Sequence, residues 1–308
     1  MLRVLYILIV VVLLGLLVWT NLPRHNAQEG DRSSSAEEKK YPLLSKRVLQ
    51  ELPNDYLIRF SPLRSDLREL VQPWGSKFAF YFEYLPTGVS IGVNEKEEFS
   101  AASLLKVPVV MAYYLQQETE KIEGDSYVTL TKEMIHKDYG SLWKRGVGAK
   151  VSIDEAIRLA LEESDNTAIE AIISKTDYKY FQTVHDGLDI EQKEIREVPI
   201  ITVKNYSSIL KALFFSSIVS KEHSQKILDH MANSTYTDKL PAGVSSDVPV
   251  AHKIGEAGDD LFTDCGIVYV PRRAYLLCML SVSDNETARS RMSQLSKKVF
   301  TYISNLPK

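Results

Sequence analysis

The apolar positions of this chain follow two periods, and the change from one to the other marks its elements. From Ser61 to Val71, Leu63, Leu67, Leu70 and Val71 recur at helical intervals, and Pro73-Trp74-Gly75 stops the pattern. Phe78 to Leu85 is an aromatic run of strand character; Pro86-Thr87-Gly88 turns the chain, and Val89 to Val93 returns as a second strand. An apolar helical run then opens at Ser103-Leu104-Leu105-Lys106, with Pro108 near enough to its first turn to be tolerated. Polar helical and loop material leads through Asp138-Tyr139-Gly140. Ser152 and Glu155 form a capping box for a helix carrying Ile157, Leu159, Ala160 and Leu161, which ends near Ser164-Asp165-Asn166. More helices are expected around 169–173, 206–215 and 223–231. After Pro249 the pattern is extended again over Val250 to Gly255, Cys265 to Val270 and Tyr275 to Val282. Ser283 is placed to cap a terminal amphipathic helix through Ile303.

Strands therefore come from both ends of the domain and helices fill its middle. This order predicts an α/β (α+β) fold: a mixed, mostly antiparallel sheet closed by distant segments, flanked by helices and carrying an all-helical insert. The expected sheet part covers about 41–99 and 248–308, and the helical part about 100–247.

The N-terminal end changes the picture. Val4 to Trp19 carries no charge, and the next one after Arg3 is Arg24. Extended to Pro23 the run reaches about 20 residues, the length that crosses a bilayer. Thr20 to Gln28 offers no Ala-x-Ala cleavage site, and no cysteine follows the run. Residues 1–23 therefore read as an uncleaved signal anchor, a single transmembrane helix in the cell membrane with the rest of the chain extracytoplasmic. Residues 24–40, with Ser33-Ser34-Ser35 and Glu37-Glu38-Lys39-Lys40, read as a polar linker.

Composition mainly excludes. A formal net charge of -3 without a basic stripe argues against a nucleic-acid partner. His25, His136, His185, His223, His230 and His252 are scattered and no phosphate-binding glycine loop is present, so neither a metal nor a cofactor is expected. Cys265 and Cys278 fall nearly opposite each other on two predicted strands. Export permits a disulfide between them, and two buried thiols are the simpler reading.

The candidate chemistry starts at Ser103 and Lys106, which helical spacing puts side by side. A serine needs an adjacent base to become a nucleophile, and a lysine can serve if desolvation or a second cation strips its proton near neutral pH. Ser208-Ile209-Leu210-Lys211 has the same spacing, so the pair is a weak signal by itself. Two further motifs strengthen it: Ser164-Asp165-Asn166 at a helix-to-loop junction, and Lys253-Ile254-Gly255 in a late extended run. A second Ser283-Asp284-Asn285 follows Lys253 and reads as a helix cap.

In this order and spacing, Ser-x-x-Lys, Ser-Asp-Asn and Lys-x-Gly resemble the class A β-lactamases and penicillin-binding D,D-peptidases. The resemblance spans roughly Phe78 to the C-terminus and includes Phe99-Ser100-Ala101-Ala102-Ser103 and Ser152-Ile153-Asp154-Glu155-Ala156. It implies a β-lactamase-like fold with Ser103 as nucleophile and Lys106 as its base or proton relay. Ser164 would pass the proton to the leaving nitrogen, with the positive charge of Lys253 beside it. Asn166 would bond the substrate's side-chain amide, and the backbone N–H groups of Ser103 and Glu256, next to Gly255, would form the oxyanion hole. Such donors lower a barrier by about 3 kcal/mol. Tyr139 would stack on substrate from a loop facing the cleft, or be an ordinary surface aromatic.

Three departures bear on the reaction. Ile254 stands where the family has a threonine whose hydroxyl binds the substrate carboxylate. The arginine expected at the start of the next strand is absent, Thr263-Asp264-Cys265-Gly266 standing there; Arg272 and Arg273 are alternatives at a turn. The deacylating glutamate of a Glu-x-x-Leu-Asn motif is also missing: Gly187 to Thr202 is short, and its Glu191, Glu194 and Glu197 read as solvated charges. Three functions remain open on these residues: a membrane-tethered hydrolase that opens β-lactams through an acyl-enzyme, with release fast or slow; a D,D-peptidase acting on cell-wall stem peptides; and a noncatalytic wall- or β-lactam-binding module. The partners expected are accordingly a β-lactam or D-alanyl peptide, the cell wall, and the membrane through the N-terminal helix.

Overall fold

The fold is seen in a computed structural model that describes residues 60–122, 126–188 and 200–306. The expected anchor (1–23), the linker (24–40) and Glu191, Glu194 and Glu197 lie outside the described residues. Among the described residues no helix is long and apolar enough to cross a membrane.

In chain order the elements are α1 (Ser61–Val71), β1 (Phe78–Tyr84), β2 (Val89–Val93), β3 (Phe99–Ser100) and, after a 3-10 turn at Ala102–Leu105, α2 (Lys106–Glu120). Next come β4 (Tyr127–Thr129), β5 (Lys150–Ser152), α3 (Ile153–Glu162), α4 (Asn166–Ile173), α5 (Tyr178–Asp186), β6 (Ile200–Ile201), α6 (Val203–Phe214) and α7 (Lys221–Ala232). The chain closes with β7 (Val250–Ala257), β8 (Leu261–Val268), β9 (Tyr275–Val282) and α8 (Asn285–Ser304).

The main sheet has the order β2-β1-β9-β8-β7, with β1 paired directly to β9. Every pairing in it is antiparallel, where a mixed, mostly antiparallel sheet was expected. Both of its faces are covered, which explains why β1 reads as an unbroken apolar run instead of alternating with polar residues. Phe78, Phe80, Phe82 and Tyr84 join Leu277, Met279 and the buried positions of α1 and α8 in one core. Ala79 and Tyr81 join Leu276, Cys278 and the helices of the middle segment in the other. Each fully buried large side chain of this kind contributes roughly 1.5–3 kcal/mol. Cys265 and Cys278 face each other in register and are both free, buried thiols.

Local signals set most helix starts. Ser152, Asp165, Thr202, Ser220 and Asp284 each accept a backbone N–H from the first turn of the helix that follows. The last of these corrects the expected cap: Asp284, not Ser283, receives Thr287 N–H at 2.9 Å and also the Thr287 hydroxyl at 2.7 Å. A carboxylate serves both donors, which one serine oxygen cannot do as well. The Ser103 segment differs too. It opens as a 3-10 turn and becomes α-helical only at Lys106. Arg273 donates to the Leu306 carbonyl at 2.7 Å and thus closes the C-terminal end of the chain instead of reaching a cleft.

β7 is an edge strand, and the 3-10 turn at Ala102–Leu105 packs against it. A methyl group on Gly255 would lie 2.5 Å from Thr263 Oγ1 and 3.2 Å from the Ala101 carbonyl oxygen, so glycine permits this close approach. The Tyr206 hydroxyl of α6 also donates to the Leu104 carbonyl at 3.1 Å. The turn that carries Ser103 is therefore held by both the sheet edge and α6.

Candidate active site

Three separate segments deliver their side chains to one point. In a 3-10 turn, residues three apart eclipse each other, so Ser103 and Lys106 align more closely than on an α-helix. Lys106 Nζ lies 2.7 Å from Ser103 Oγ. The same nitrogen lies 2.8 Å from the Ser164 carbonyl oxygen, 3.2 Å from Ser164 Oγ and 2.7 Å from Asn166 Oδ1. From β7, Lys253 Nζ donates to Ser164 Oγ at 2.8 Å and to the Ile254 carbonyl at 3.2 Å. Ser103, Lys106, Ser164, Asn166 and Lys253 thus form one continuous network.

Both amines sit where a charge is costly. Lys106 is buried, and loss of hydration pulls its pKa down to about 7, against a smaller upward pull from Asp165 and Asp138. Burial, and not the neighbouring cation, is what lowers the Lys106 pKa. Lys253 is pushed well below its usual range by burial first and by the Lys106 charge second. The hydrogen-bond inventory agrees with a neutral Lys106. A neutral amine has two N–H donors and one lone pair. The Ser164 carbonyl and Asn166 Oδ1 can only accept, so they take the two donors. Of the two hydroxyls in reach of the lone pair, Ser103 at 2.7 Å is nearer than Ser164 at 3.2 Å, the arrangement a general base requires.

Backbone strain gathers around the same point. Ala102, Tyr139 and Ser164 all have positive φ, at 44°, 52° and 56°, a region that residues with a Cβ enter at a cost. Asp165, fully buried, holds two of these segments together. Its carboxylate accepts the N–H groups of Ser141 and Leu142 at 2.7 Å each and that of Ala168 at 2.8 Å. It thereby caps α4 and pins the loop carrying Tyr139 onto it. Gly140 makes room: at φ +83°, a Cβ there would lie 2.2 Å from Asp165 Oδ2.

The remaining expected residues also lie at this cleft, with partners the sequence does not reveal. Asn166 turns its amide N–H to Asp138 at 3.0 Å while its oxygen serves Lys106. The Tyr139 hydroxyl donates to Glu256 Oε2 at 2.7 Å, and burial together with this bond raises its pKa. Glu256 Oε1 meets Lys239 Nζ at 3.2 Å. Ile254 is buried, and Thr263 donates its hydroxyl to the Gly255 carbonyl at 3.0 Å. Where an arginine was looked for, Asp264 is buried between His252 Nδ1 at 2.7 Å and the Leu240 N–H at 2.9 Å. The second Ser-x-x-Lys lies on α6, where Lys211 pairs with Glu83 at 3.1 Å. Lys239 belongs to no motif and only the fold identifies it. Asp165 did carry a signal, as an aspartate directly before a helix start.

The sequence model of the beta-lactamase enzyme family matches residues 62–303. The chain belongs to this family. Beta-lactamase 1 of Bacillus cereus is 22% identical over 240 residues, covering 72% of this chain and 77% of that protein. Beta-lactamase CARB-3 of Pseudomonas aeruginosa is 21% identical over 225 residues, 67% of this chain and 76% of its own. Among solved structures, a mutant of PBP-A in an acyl-enzyme complex with penicillin G superposes with a TM-score of 0.72 at 21% identity, covering 80% of this chain and 97% of the other. A β-lactamase from Sphaerobacter thermophilus does so with a TM-score of 0.71 at 16% identity, covering 82% and 100%. The family assignment makes the protein a serine hydrolase of the β-lactamase type, and the structures show the shared fold.

Proposed function

We propose that this family member acylates Ser103 with an amide or β-lactam carbonyl and releases the product slowly. Lys106 takes the Ser103 proton as Oγ bonds to the carbonyl carbon. The C–N bond then breaks, and Ser164, whose Oγ lies 3.2 Å from Lys106 and 2.8 Å from Lys253, hands its proton to the departing nitrogen and takes back the one Lys106 received from Ser103. The Ser103 N–H lies in the first turn of a helix, where no partner exists within the helix, and with the Glu256 N–H it would receive the oxyanion. The observation that carries this reading is the 2.7 Å contact between Ser103 Oγ and a buried amine whose pKa lies at about 7. The acyl-enzyme of PBP-A with penicillin G, on the same fold, supports it. Slow release follows from the missing Glu-x-x-Leu-Asn motif between Gly187 and Thr202.

The same absence favours a second reading, a D,D-peptidase on peptidoglycan stem peptides that β-lactams inhibit. One assay separates the two. The full chain is incubated with a chromogenic cephalosporin and with penicillin, and turnover and intact mass are followed. Turnover that continues after the first equivalent, however slow, supports β-lactam hydrolysis; an adduct that persists with no turnover, lost in Ser103→Ala, supports the peptidase. Absence of both in the wild type overturns the two β-lactam readings, and absence as well of Ser103 labelling by a fluorophosphonate overturns the acyl-enzyme reading.

The apolar run of Val4 to Trp19 supports a location on the outer face of the cell membrane, with the domain exported. In fractionated cells the protein is expected to stay with membranes after an alkaline carbonate wash. External protease should cut it in spheroplasts. Recovery in the soluble fraction at full mass would overturn the tether.

A further inference from the structure

The end of the cleft beyond Gly255 holds two groups suited to gripping an anion, and both are already engaged. Lys239 is a buried ammonium, 2% exposed, and the Tyr139 hydroxyl is a donor on the facing loop. Both point at one acceptor: Glu256 Oε1 meets Lys239 Nζ at 3.2 Å, and Glu256 Oε2 receives the Tyr139 hydroxyl at 2.7 Å. Lys239 also touches Asp238 at 3.4 Å, and Asp238 is held by Arg289 at 2.6 Å. The Glu256 side chain is 17% exposed against 2% for Lys239, so the carboxylate covers the ammonium and presents its own charge outward. The other charges nearby do not reverse this. Lys253 is tied to Ser164 and the Ile254 carbonyl, and Asp264 is paired with His252 beneath the strand. Ile254 adds no donor.

We infer that Glu256 is a specificity residue: its carboxylate fills the anion-gripping position between Lys239 and Tyr139, so that the cleft disfavours substrates bearing a carboxylate beside the leaving group and takes those with a neutral or cationic group there. An incoming carboxylate would meet a like charge and two donors already occupied, and it would have to break a clasp joining the Tyr139 loop to β7. An amide-capped or amino-bearing group meets instead an acceptor of opposite or complementary character. This rests on the reading of Ser103 as the acylated nucleophile.

The test uses three acyl thioesters that differ only in the leaving thiol, which carries a carboxylate, the corresponding carboxamide, or an amine. In each, Ser103 Oγ bonds to the acyl carbon, the C–S bond breaks, and the thiol leaves with the serine proton and is titrated. For the wild type, kcat/KM is expected to be at least tenfold higher for the carboxamide and amine thioesters than for the carboxylate. Glu256→Gln, which keeps the backbone N–H and nearly the same volume, should shrink this ratio at least fivefold, and Glu256→Ala should shrink it likewise. A ratio of two rates on one preparation does not depend on how much of it is folded. A wild type indifferent to the charge, or a ratio unchanged in both variants, overturns the inference. A fluorophosphonate without any carboxylate checks the underlying reading separately. Labelling of Ser103 combined with charge indifference defeats the specificity role alone. No labelling at Ser103 defeats the nucleophile reading, and this inference with it.

Discussion

Replacing Lys106 by methionine is expected to slow acylation of Ser103 by about 10²–10⁴-fold, the range general-base catalysis covers, while making the folded chain more stable. Burial has lowered this amine from the ordinary lysine range to about 7. Between pH 7 and the unfolded-state value the unfolded chain holds the extra proton, so stability rises with pH across that window. Below it, the folded state bears the full cost of a buried cation, on the order of a few kcal/mol for a shift of this size. Methionine removes that cost with little change in volume, and the donors lost to the Ser164 carbonyl and Asn166 Oδ1 offset only part of the gain. The melting temperature of Lys106→Met should therefore exceed that of the wild type by several degrees at pH 6, and the gap should close as pH approaches 10. The wild-type acylation rate should climb with pH to a midpoint near 7, as Lys106 loses its proton. A rate constant unaffected by pH between 5 and 9, or a variant that acylates normally, would remove Lys106 from the role of base.

Asp165→Asn carries the second large effect, and it moves two observables in predictable directions. The carboxylate accepts two backbone N–H groups on one oxygen and a third on the other, and it is fully buried. A carboxamide must place an N–H₂ against one of these sets, leaving at least one buried donor unmet. With each such group costing about 1–3 kcal/mol, a loss of roughly 3 kcal/mol is expected in urea unfolding. The negative charge of Asp165 also raises the Lys106 pKa. Its removal should shift the acid limb of the acylation profile to lower pH, even in the fraction that folds. A midpoint that moves upward or stays in place would mean that Asp165 acts on the loop alone and not on the amine.

The two effects show how differently parts of the site were written into the chain. Ser103 and Lys106 are neighbours by local geometry, and any helical turn would join them. Lys253 reaches Ser164 across 89 positions, and that contact exists only because β7 lies at the sheet edge beside the Ser103 turn. Helix starts followed from single capping residues such as Ser152 and Thr202. The helix α5 escaped the sequence pattern, since its Asp177 makes no side-chain cap and only Tyr180, Phe181, Val184 and His185 are buried. The first half of β8 escaped it too. Thr263 and Asp264 are polar and lie before the expected strand start at Cys265, and only the fold supplies their buried partners Gly255, His252 and Leu240.

Taken alone, the amino-acid order determined which side chains could do chemistry, roughly where strands and helices alternate, and the family the motifs resemble. These are matters of period, capping and spacing, which act within a few residues. Folding alone decided that Lys106 is buried deeply enough to lose its proton near neutrality, that Asp165 ties the Tyr139 loop to α4, and that Glu256 takes both Lys239 and Tyr139. Desolvation and charge pairing depend on what surrounds a group in space, and here the surroundings come from segments 17 to 117 positions apart.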